Sequence, residues 1–537
     1  MKKVRQFMLL VLACNLFSGC AKEAQKTIVK EITPNVVEVT TYSPVYPVLI
    51  GKENNPVLRI NLQADTGGAT ELTSVTLDFS DSDDIADIKS AKLFYTNGSE
   101  DFKTSTLVGS VDILLELITI KLTQPLIPSQ GNNYLWLAVN LHDDANTLHN
   151  IAVNVKNVML DNKHIAVSAA SKTSHNRIGH ALRQAKDDGV NAYRIPGLAT
   201  TNEGTLLAIY DVRHDSSRDL QGDIDVGMSR STDGGQSWQQ MKIIMDMGEW
   251  GGLPQNQNGI GDPSILVDRQ TNTIWVAALW AHGHPGKMSW WGSKQGLTPL
   301  ETNQLMLTKS EDDGVTWSTP INITAQVKDP KWYLLLDGPG KGISLKNGTL
   351  VFPAQYKDEN NLPHSTLISS KDHGKTWTIG TSAKNDTTEA QVVELRDGSL
   401  MLNMRDNRGK DNGTGARAIA TTTDLGQTWQ VHPTSDKSLP EPVCSASLIN
   451  HIVNDAQSLL LFSNPVDQYS RRNITIKVSE DDGMSWPNEN FTLIDEGTGW
   501  GYSNLTSIDK QTIGILYESS QSHITFQRFK LSELLAK

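Results

Sequence analysis

One eight-residue motif recurs five times in the second part of the chain, and it restricts the possible folds more than any other feature of the sequence. Its consensus is (Ser/Thr)-x-Asp-x-Gly-x-(Ser/Thr)-Trp, and successive tryptophans are 79, 60, 52 and 57 residues apart. These spacings are long for one hairpin and suit a propeller blade of four strands. The five copies are STDGGQSW (231–238), SEDDGVTW (310–317), SKDHGKTW (370–377), TTDLGQTW (422–429) and SEDDGMSW (479–486).

The residue types in this motif indicate a structural task. Its Asp and its first Ser or Thr hydrogen-bond turn backbone, its Gly supplies a positive φ, and its Trp buries a large ring beneath the turn. Five near-identical copies cannot all form one active site, so we interpret the motif as a clasp on a β-hairpin turn, with one clasp per blade. Residues 176–537 are long enough for about six such blades, so one blade is expected to lack a recognisable clasp.

The region before the repeats has a different pattern. From about residue 27 to residue 170, short apolar runs such as TSVTLDF and NYLWLAVNL alternate with clusters of Gly, Asn, Asp and Pro. This pattern is typical of a β-sandwich. The polar segment 168–189 breaks it, which places a domain boundary near residue 175. The predicted fold is therefore all-β, with an N-terminal sandwich at 21–175 and a six-bladed β-propeller at 176–537.

Residues 1–20 have the pattern of an export signal, with basic residues, an apolar run from Phe7 to Leu12 and small residues before Cys20. Phe17-Ser18-Gly19-Cys20 is similar to a bacterial lipoprotein processing box, in which the cysteine receives lipid. The alternative is an ordinary secretory signal with an incidental cysteine. Either interpretation predicts an exported protein, which is a periplasmic or surface lipoprotein of the cell envelope or is secreted. Membrane contact is expected only through a lipid on Cys20.

Charge and cysteine content exclude several classes of function. The net charge of −12 and the pI near 5.6 argue against nucleic acid as a partner, since phosphate backbones require clustered Lys and Arg. An anionic ligand would need a local basic site. Beyond residue 20 the only cysteine is Cys444, which is expected to be a small buried apolar residue without a disulfide.

A propeller collects side chains from several blades at one end of its axis, so candidate site residues should be scattered in the sequence and lie outside the clasps. Three arginines fit this expectation: Arg194 in NAYRIPGL, Arg405 in LNMRDNRG and Arg471 in YSRRNITIKV. The proline after Ile195 predicts an extended conformation for Ile195. Further candidates occur in a fixed order between and after these arginines, namely Arg213, Asp219, Asp262, Glu389 and Tyr502.

This ordered set resembles the bacterial sialidases, which are retaining exo-α-glycosidases built on a six-bladed β-propeller. The resemblance covers roughly residues 176–537. It implies that an arginine triad grips the carboxylate of sialic acid and that Tyr502 is the nucleophile. It also implies that Glu389 activates Tyr502, that Asp219 is the general acid and base, and that two residues lie near the hydroxyl at C4 of the sugar. The triad is Arg194, Arg405 and Arg471, and the last pair is Arg213 and Asp262.

One assignment depends on a single position, because Arg472 follows Arg471 directly. The family usually has Arg-x-Asn at this place, and Asn473 keeps that spacing from Arg471. Family members often have Gly after that Asn, where this chain has Ile474.

The chemistry of the predicted substrate agrees with these residue types. Sialic acid carries a carboxylate on its anomeric carbon, and planar guanidinium groups bind carboxylates bidentately and stay charged at any working pH. A neutral tyrosine avoids the repulsion that a second carboxylate would meet there, and sialidases are a known exception to the two-carboxylate rule of glycosidases. No cofactor is needed. The expected partners are sialylated glycoproteins, glycolipids or oligosaccharides.

Two alternatives stay open at this point. Repeats of this kind also occur in propellers that bind glycans or proteins without catalysis. A trans-sialidase, or an enzyme that forms an intramolecular product, would share the tyrosine-bound intermediate and differ only in what reaches it next. The N-terminal sandwich resembles an accessory domain of some bacterial sialidases, so it either binds carbohydrate or acts as a spacer. Its candidate aromatic residues are Tyr95, Tyr134 and Trp136.

The segment LWAHGHPGKMSWWG carries two histidines and two tryptophans. His282 and His284 lack the nearby Cys or carboxylate residues that would complete a metal site, so no metal is predicted. The long first spacing between clasps leaves room for a loop here. We expect Trp290 and Trp291 to overhang the pocket and to stack against substrate sugars.

Overall fold

The computed structural model describes residues 35–65, 70–220, 222–281, 287–454 and 456–535. The predicted signal segment with Cys20, and also His282 and His284, lie outside these described residues. The fold is all-β, as predicted, with strands arranged in eight sheets. The helices are single turns: α1 (Ser289–Gly292), α2 (Thr324–Val327), α3 (Gly409–Asn412) and α4 (Leu531–Leu534), with 3-10 turns at Ile85–Asp87, Asp187–Gly189, Gln255–Gln257 and Asn488–Asn490. No helix in the described ranges has the length and apolar character needed to cross a membrane.

The first two sheets share one hydrophobic core. Apolar side chains alternate along their strands, so that Val75 and Leu77 from one sheet pack in the same cluster as Leu135 and Leu137 from the other. The strands of the N-terminal region are β1 (Val36–Tyr42), β2 (Val48–Ile50), β3 (Asn55–Ala64), β4 (Leu72–Asp78), β5 (Ile88–Asn97), β6 (Leu107–Asp112), β7 (Leu117–Leu126), β8 (Gly131–Leu141), β9 (Asn150–Ile151), β10 (Asn154–Leu160), β11 (Lys163–Ile165) and β12 (Ala169–Ala170). All of them except β2 and β9 belong to these two sheets.

The aromatic candidates of this part are not free to stack on a sugar. Tyr134 and Trp136 are 5% and 3% exposed, and Tyr95 packs against the core while its hydroxyl donates a hydrogen bond to Asn133. Whether the N-terminal region binds carbohydrate stays a prediction without support from these three residues.

The other six sheets form the six blades of the predicted propeller. The strands of the first three blades are β14 (Ala192–Thr200), β15 (Leu206–Arg213), β16 (Ile224–Ser231) and β17 (Lys242–Met245); β18 (Gly259–Val267), β19 (Ile274–Ala281), β20 (Gln304–Ser310), β21 (Ile321–Asn322) and the added β23 (Gly340–Lys341); and β22 (Leu334–Asp337), β24 (Ile343–Ser344), β25 (Leu350–Lys357), β26 (Pro363–Ser370), β27 (Thr378–Ile379) and β28 (Lys384–Asn385).

The strands of the last three blades are β29 (Thr387–Glu394), β30 (Leu400–Asp406), β31 (Ala418–Thr422) and β32 (Gln430–Val431); β33 (Ser447–Asn454), β34 (Gln457–Pro465), β35 (Arg472–Ser479) and β36 (Phe491–Thr498); and β37 (Ser503–Ser507), β38 (Thr512–Tyr517) and β39 (Ile524–Lys530), completed by β13 (Asn176–Arg183). Each of the first five blades carries one repeat, at the turn between its third and fourth strands.

The repeats form the predicted turn clasps. In the second copy the Asp312 carboxylate accepts hydrogen bonds from the backbone N–H and the hydroxyl of Thr316, at 2.8 and 2.5 Å. The Ser310 hydroxyl accepts from the N–H of Gly314 at 2.9 Å. The hydrogen bonds from Thr316 are the main cause that lowers the pKa of Asp312 to about 2. This carboxylate is therefore committed to the turn.

The sixth blade has no clasp because its third and fourth strands are not consecutive in the chain. Its third strand, β39, is near the C-terminus and pairs antiparallel with β13, which comes before the first blade. There is thus no β39–β13 turn to hold. β13 also pairs parallel with β2 and antiparallel with β9, so this blade shares a sheet with the N-terminal region. The division of the chain at residue 175 stays a prediction.

Candidate active site

A cavity of about 580 Å³ opens at one end of the propeller axis. Its wall is built from the first residues of the inner strands β14, β18 and β29, with the segments just before β33 and β37. Seven of the residues predicted from the sequence line it together: Arg194, Asp219, Asp262, Glu389, Arg405, Arg471 and Tyr502. Arg213 is the predicted site residue that does not line this cavity.

Arg194 is held by a buried carboxylate on the neighbouring blade. Its Nε donates to Glu518 Oε1 at 2.6 Å, and its guanidinium lies over the rings of Trp500 and Tyr502 at 4.6 and 5.5 Å. Burial opposes the charge of Arg194, but the charge of Glu518 outweighs burial and raises the pKa of Arg194. The same carboxylate accepts from the backbone N–H groups of Ile195 and Tyr502 at 3.0 and 3.1 Å. Glu518 thus fixes both Arg194 and the backbone of Tyr502.

Tyr502, Glu389 and Arg405 form one hydrogen-bonded group. The Tyr502 hydroxyl donates a short hydrogen bond to Glu389 Oε1, while Arg405 Nη1 donates to Glu389 Oε2 at 2.6 Å and to the Tyr502 hydroxyl oxygen at 3.1 Å. Burial and the charge of Glu389 raise the pKa of Tyr502 well above its ordinary value. The phenol is therefore neutral and already bonded to a carboxylate that can accept its proton.

Arg471 lines the cavity and Arg472 does not. Arg471 donates to the backbone oxygens of Trp500 and Val443, each at 3.0 Å, and no carboxylate lies within ion-pair distance of it among the described residues. Arg472 instead pairs with Asp467 at 2.7 Å, and its side chain is 53% exposed. The uncompensated charge of Arg471 is thus available to an anionic ligand.

Asp219 is oriented by an arginine behind it. Arg213 has no exposed surface, and its Nη1 donates to Asp219 at 2.8 Å while its other nitrogens donate to Asp211 at 2.8 and 3.0 Å. Burial acts to raise the pKa of Asp219, but Arg213 and Arg194 outweigh burial and hold this pKa below its usual range. Arg213 therefore lies behind Asp219 and positions it, and its predicted place near the C4 hydroxyl of the sugar stays a prediction.

The pKa of Asp262, another carboxyl group of the cavity, is shifted in the opposite direction to the pKa of Asp219. Burial and the neighbouring carboxylates of Asp211 and Asp219 raise the pKa of Asp262 well above its usual range. Its carboxyl group can accept a hydrogen bond from a sugar hydroxyl, and its raised pKa favours the protonated form, which can also donate one.

The backbone of β14 and β18 is unusual where these residues lie. Ile195 and Asp262 both have positive φ values, 57° and 54°, although each precedes a proline. Both strands have an irregular register at the same place. The expected extended conformation of Ile195 is therefore wrong, because a bulge and the bond from its N–H to Glu518 hold it in the left-handed region.

The tryptophan segment lies at the cavity as expected. Trp290 and Trp291 line it, Trp291 is 67% exposed, and the ammonium of Lys357 lies 4.5 and 4.6 Å from the two ring centroids. Lys357 also donates to the backbone oxygen of Trp290 at 3.0 Å. This cation fixes the tryptophans at the rim, while stacking against sugars stays a prediction.

One set of side chains in the described ranges has the geometry to hold a metal ion. His214, Asp223 and Asp225 place three ligand atoms within 4.8 Å of one another. His214 Nε2 lies 2.9 Å from Asp225 Oδ2, and Gln255 donates to Asp223. None of these three residues lines the cavity.

Sequence reasoning missed the residues that support the site from behind. Glu518 ends the run GILYE at 514–518, and Asp211 stands two residues before Arg213, but neither was predicted to have a role. Arg417, fully buried, donates to Glu441 at 2.7 Å and to the backbone oxygen of Glu389 at 3.3 Å. A charged residue within a strand of otherwise apolar residues, or directly next to one, is the signal that would have identified them.

Comparisons with known proteins agree on one family. Residues 204–515 match the BNR repeat-like domain, and residues 36–164 match the N-terminal domain of BNR-repeat neuraminidase. A sialidase of Bacteroides fragilis is 45% identical over 91% of this chain and 94% of its own length. A sialidase of Paraclostridium sordellii is 31% identical over 55% of this chain and 72% of its own. The solved structure of the Hadza microbial sialidase Hz136 matches with a TM-score of 0.86 and 44% identity, over 92% of this chain and all of that one.

Proposed function

Since the chain belongs to the BNR-repeat sialidase family and is an exo-α-sialidase, we propose that it removes terminal α-linked sialic acids from glycoproteins, glycolipids or oligosaccharides with retention at the anomeric carbon. The observation that carries this proposal is the Tyr502 hydroxyl bonded to Glu389 inside a cavity with three arginines. A glycan-binding propeller without catalysis has no use for a phenol paired with a base.

Substrate binding begins with the sialic acid carboxylate. Arg194, Arg405 and Arg471 converge on the cavity from three blades, and Arg471 brings a charge without an acidic partner among the described residues. Guanidinium groups orient a carboxylate through paired hydrogen bonds, which fixes the attached anomeric carbon over Tyr502. The rest of the sugar then extends into the cavity, with its C4 hydroxyl near the carboxyl group of Asp262.

In the first displacement the Tyr502 oxygen attacks the anomeric carbon and the glycosidic bond breaks. The phenolic proton passes to Glu389, and Asp219 gives its proton to the leaving oxygen. The product is a sialosyl group bound to Tyr502 and a free aglycone. Trp290 and Trp291 line the cavity, which supports the expectation that they contact that aglycone.

In the second displacement water attacks the same carbon and the Tyr502 oxygen leaves. Asp219 takes a proton from the water, and the phenolate recovers its proton from Glu389. Two inversions give net retention, and every group returns to its starting state.

Substrate binding also prepares Asp219 as an acid. In the free enzyme the charges of Arg213, Arg194 and Arg471 keep the pKa of Asp219 low, so it is ionised. The substrate carboxylate neutralises part of the charge on Arg194 and Arg471. The pKa of Asp219 then rises, and the group takes up the proton that the leaving oxygen needs.

The location of the enzyme is proposed from the sequence alone. Residues 1–20 would direct export, and lipid on Cys20 would hold the enzyme at the cell envelope. Mass spectrometry of the protein made in its own cells would detect a diacylglyceryl group on Cys20, and a mature N-terminus without lipid would reject the anchor.

The test of the proposed function is product analysis on the chain lacking residues 1–20. Proton NMR should show α-sialic acid as the first product of sialyllactose hydrolysis, followed by slow mutarotation. A β-anomer first would reject retention. If the main product is a sialylated acceptor or an intramolecular anhydro sugar, the enzyme catalyses transfer and not hydrolysis.

A further inference from the structure

A second large cavity, of about 660 Å³, lies at the opposite end of the propeller axis. The same inner strands that carry the active site reach it four or five residues further along. Ala199 follows Arg194 in β14, Val267 follows Asp262 in β18, Val393 follows Glu389 in β29, and Thr506 follows Tyr502 at β37. At about 3.3 Å per residue, the two cavities are separated by about 13 to 17 Å of strand.

One ammonium group in this second cavity has little compensation. Lys341, on β23 next to β18, makes a single 3.5 Å hydrogen bond to the backbone oxygen of Leu505. It forms no ion pair with any described residue. Burial, with a smaller effect from the charge of Arg269, lowers the pKa of Lys341 to about 7. The cationic form of an amine in such a place is stabilised when an anion joins it.

The rest of the wall of this second cavity is apolar in the interior and charged at the rim. Ile265, Val393 and Leu448 line the cavity and are almost fully buried. Charged side chains of both signs also line it, namely the carboxylates of Glu394 and Asp509 and the exposed cations of Arg269, Lys346 and Lys510. The apolar wall favours a ligand with a hydrocarbon body.

We propose that this distal cavity is a binding site for a small amphipathic monocarboxylate, whose carboxylate pairs with Lys341 and whose hydrocarbon body lies on the apolar wall. Among the Lys and Arg residues that line the cavity, Lys341 is the one that is not exposed, so the interior of the site matches a single negative charge. The apolar wall matches a hydrocarbon chain rather than a sugar. The site is separate from the sialidase cavity, so its occupation does not require sialidase chemistry.

Calorimetric titration of octanoate into the folded chain lacking residues 1–20, at pH 6, tests this proposal. The parent should bind octanoate, and Lys341→Met should bind it at least tenfold more weakly, since a hydrogen bond to a charged group is lost. Lys346→Met, which removes an exposed lysine lining the same cavity, is the matched control and should stay within about twofold of the parent. Octanol, with the same chain and no charge, should bind at least tenfold more weakly than octanoate.

Folding is checked by sialoside hydrolysis, which Lys341→Met should leave unchanged. A parent that does not bind octanoate, or equal affinities in the parent and Lys341→Met, would overturn the proposal. A second measurement uses the parent alone. Formaldehyde condenses with a lysine amine, releasing water, and cyanoborohydride reduces the iminium by hydride transfer. Octanoate should protect Lys341 from this methylation, and equal methylation with and without octanoate would reject the site.

Discussion

Asp219 lies beside two arginines that act on it differently. Arg213 is fully buried and fixes its position, whereas Arg194 faces the cavity and is 3.9 Å away. This arrangement couples the protonation of Asp219 to the charge state of the pocket. The sequence order predicted both arginines, but it could not show that one of them is hidden, because depth depends on how β15 packs between its neighbours.

The role of Asp219 predicts a dependence on the leaving group. Asp219→Ala should lower kcat/KM on sialyllactose by at least about 100-fold, since a poor leaving group needs the proton. An aryl sialoside, whose phenolate leaves unaided, should lose at least tenfold less. Steady-state kinetics on both substrates measures this difference.

Asp262→Asn is the comparison variant, because Asp262 lines the same cavity and is given no role in proton transfer to the leaving oxygen. It should lower both rates in the same proportion. Equal losses on the two substrates in Asp219→Ala would remove Asp219 from its role as general acid.

The residues of the site differ in how readily the sequence reveals them. Tyr502, Glu389 and the three arginines could be predicted because their order is characteristic. The choice between Arg471 and Arg472 depended on one position, and the outward ion pair of Arg472 with Asp467 accounts for the placement. Glu518 could not be assigned from the sequence, because its hydrogen-bond partners are far from one another in the chain. Arg194 is more than 300 positions from Glu518, whereas Tyr502 is 16 positions from it.

At the scale of the element, the clasp turns hold neighbouring blades as well as their own hairpins. Gly374, in the third clasp, has φ 82°, and a Cβ placed there would lie 2.4 Å from a ring carbon of Trp275 in the second blade. The glycine is therefore required both by backbone conformation and by close packing against a neighbour.

Gly374→Ala should lower Tm more than Gly398→Ala does. Gly398 has nearly the same φ, 85°, but no atom lies within 4 Å of its added Cβ. In both variants the left-handed conformation of the new Ala lowers the free energy of unfolding by about 1 kcal/mol. Gly374→Ala adds about 1 to 3 kcal/mol of overpacking against Trp275. Thermal unfolding followed by circular dichroism measures the difference, and equal shifts in Tm would show that this clasp does not pack as described.

The clasps also explain what could be predicted about the blades. Five blades were visible in the sequence because each closes its own hairpin with a recognisable turn. The sixth blade was inferred only from the length of the chain. Its strands β13 and β39 pair at Arg183 and Ile524, which are 341 positions apart, so they leave no local signal in the sequence. The bulges at Ile195 and Asp262 were equally invisible, since each depends on contacts from other blades.

At the scale of the whole molecule, closure of the ring buries charged groups that form no ion pair with any residue the structure describes. Lys477 in β35 is fully buried, donates to the side-chain oxygen of Asn464, and lies 5.0 Å from the ring of Phe462. Burial, with a smaller effect from the charge of Arg417, lowers the pKa of Lys477 to about 7.

This group predicts a pH dependence of stability with a definite sign. An unfolded lysine has a pKa of about 10.4, so between pH 7 and pH 10 the unfolded state binds more protons than the folded state. The contribution of Lys477 to stability should rise across that window by about 1.4 kcal/mol per pH unit. The difference in Tm between the parent and Lys477→Met should therefore shift in favour of the parent as the pH increases from 7 to 10.

The control is Lys375→Met, which removes an exposed lysine from the third clasp and should leave a difference independent of pH. A difference between the parent and Lys477→Met that stays constant from pH 7 to pH 10 would mean that Lys477 is charged in the folded protein.

The central claim is that Tyr502 forms the covalent intermediate, and trapping that intermediate tests it most directly. A 3-fluorosialosyl fluoride slows both displacements by destabilising the oxocarbenium-like transition states, while its good leaving group lets the first one proceed. Mass spectrometry should then show one fluorosialosyl group on the peptide containing Tyr502, and none on Tyr502→Phe. An adduct on another residue of an active parent, such as Asp219 or Glu389, would contradict the account.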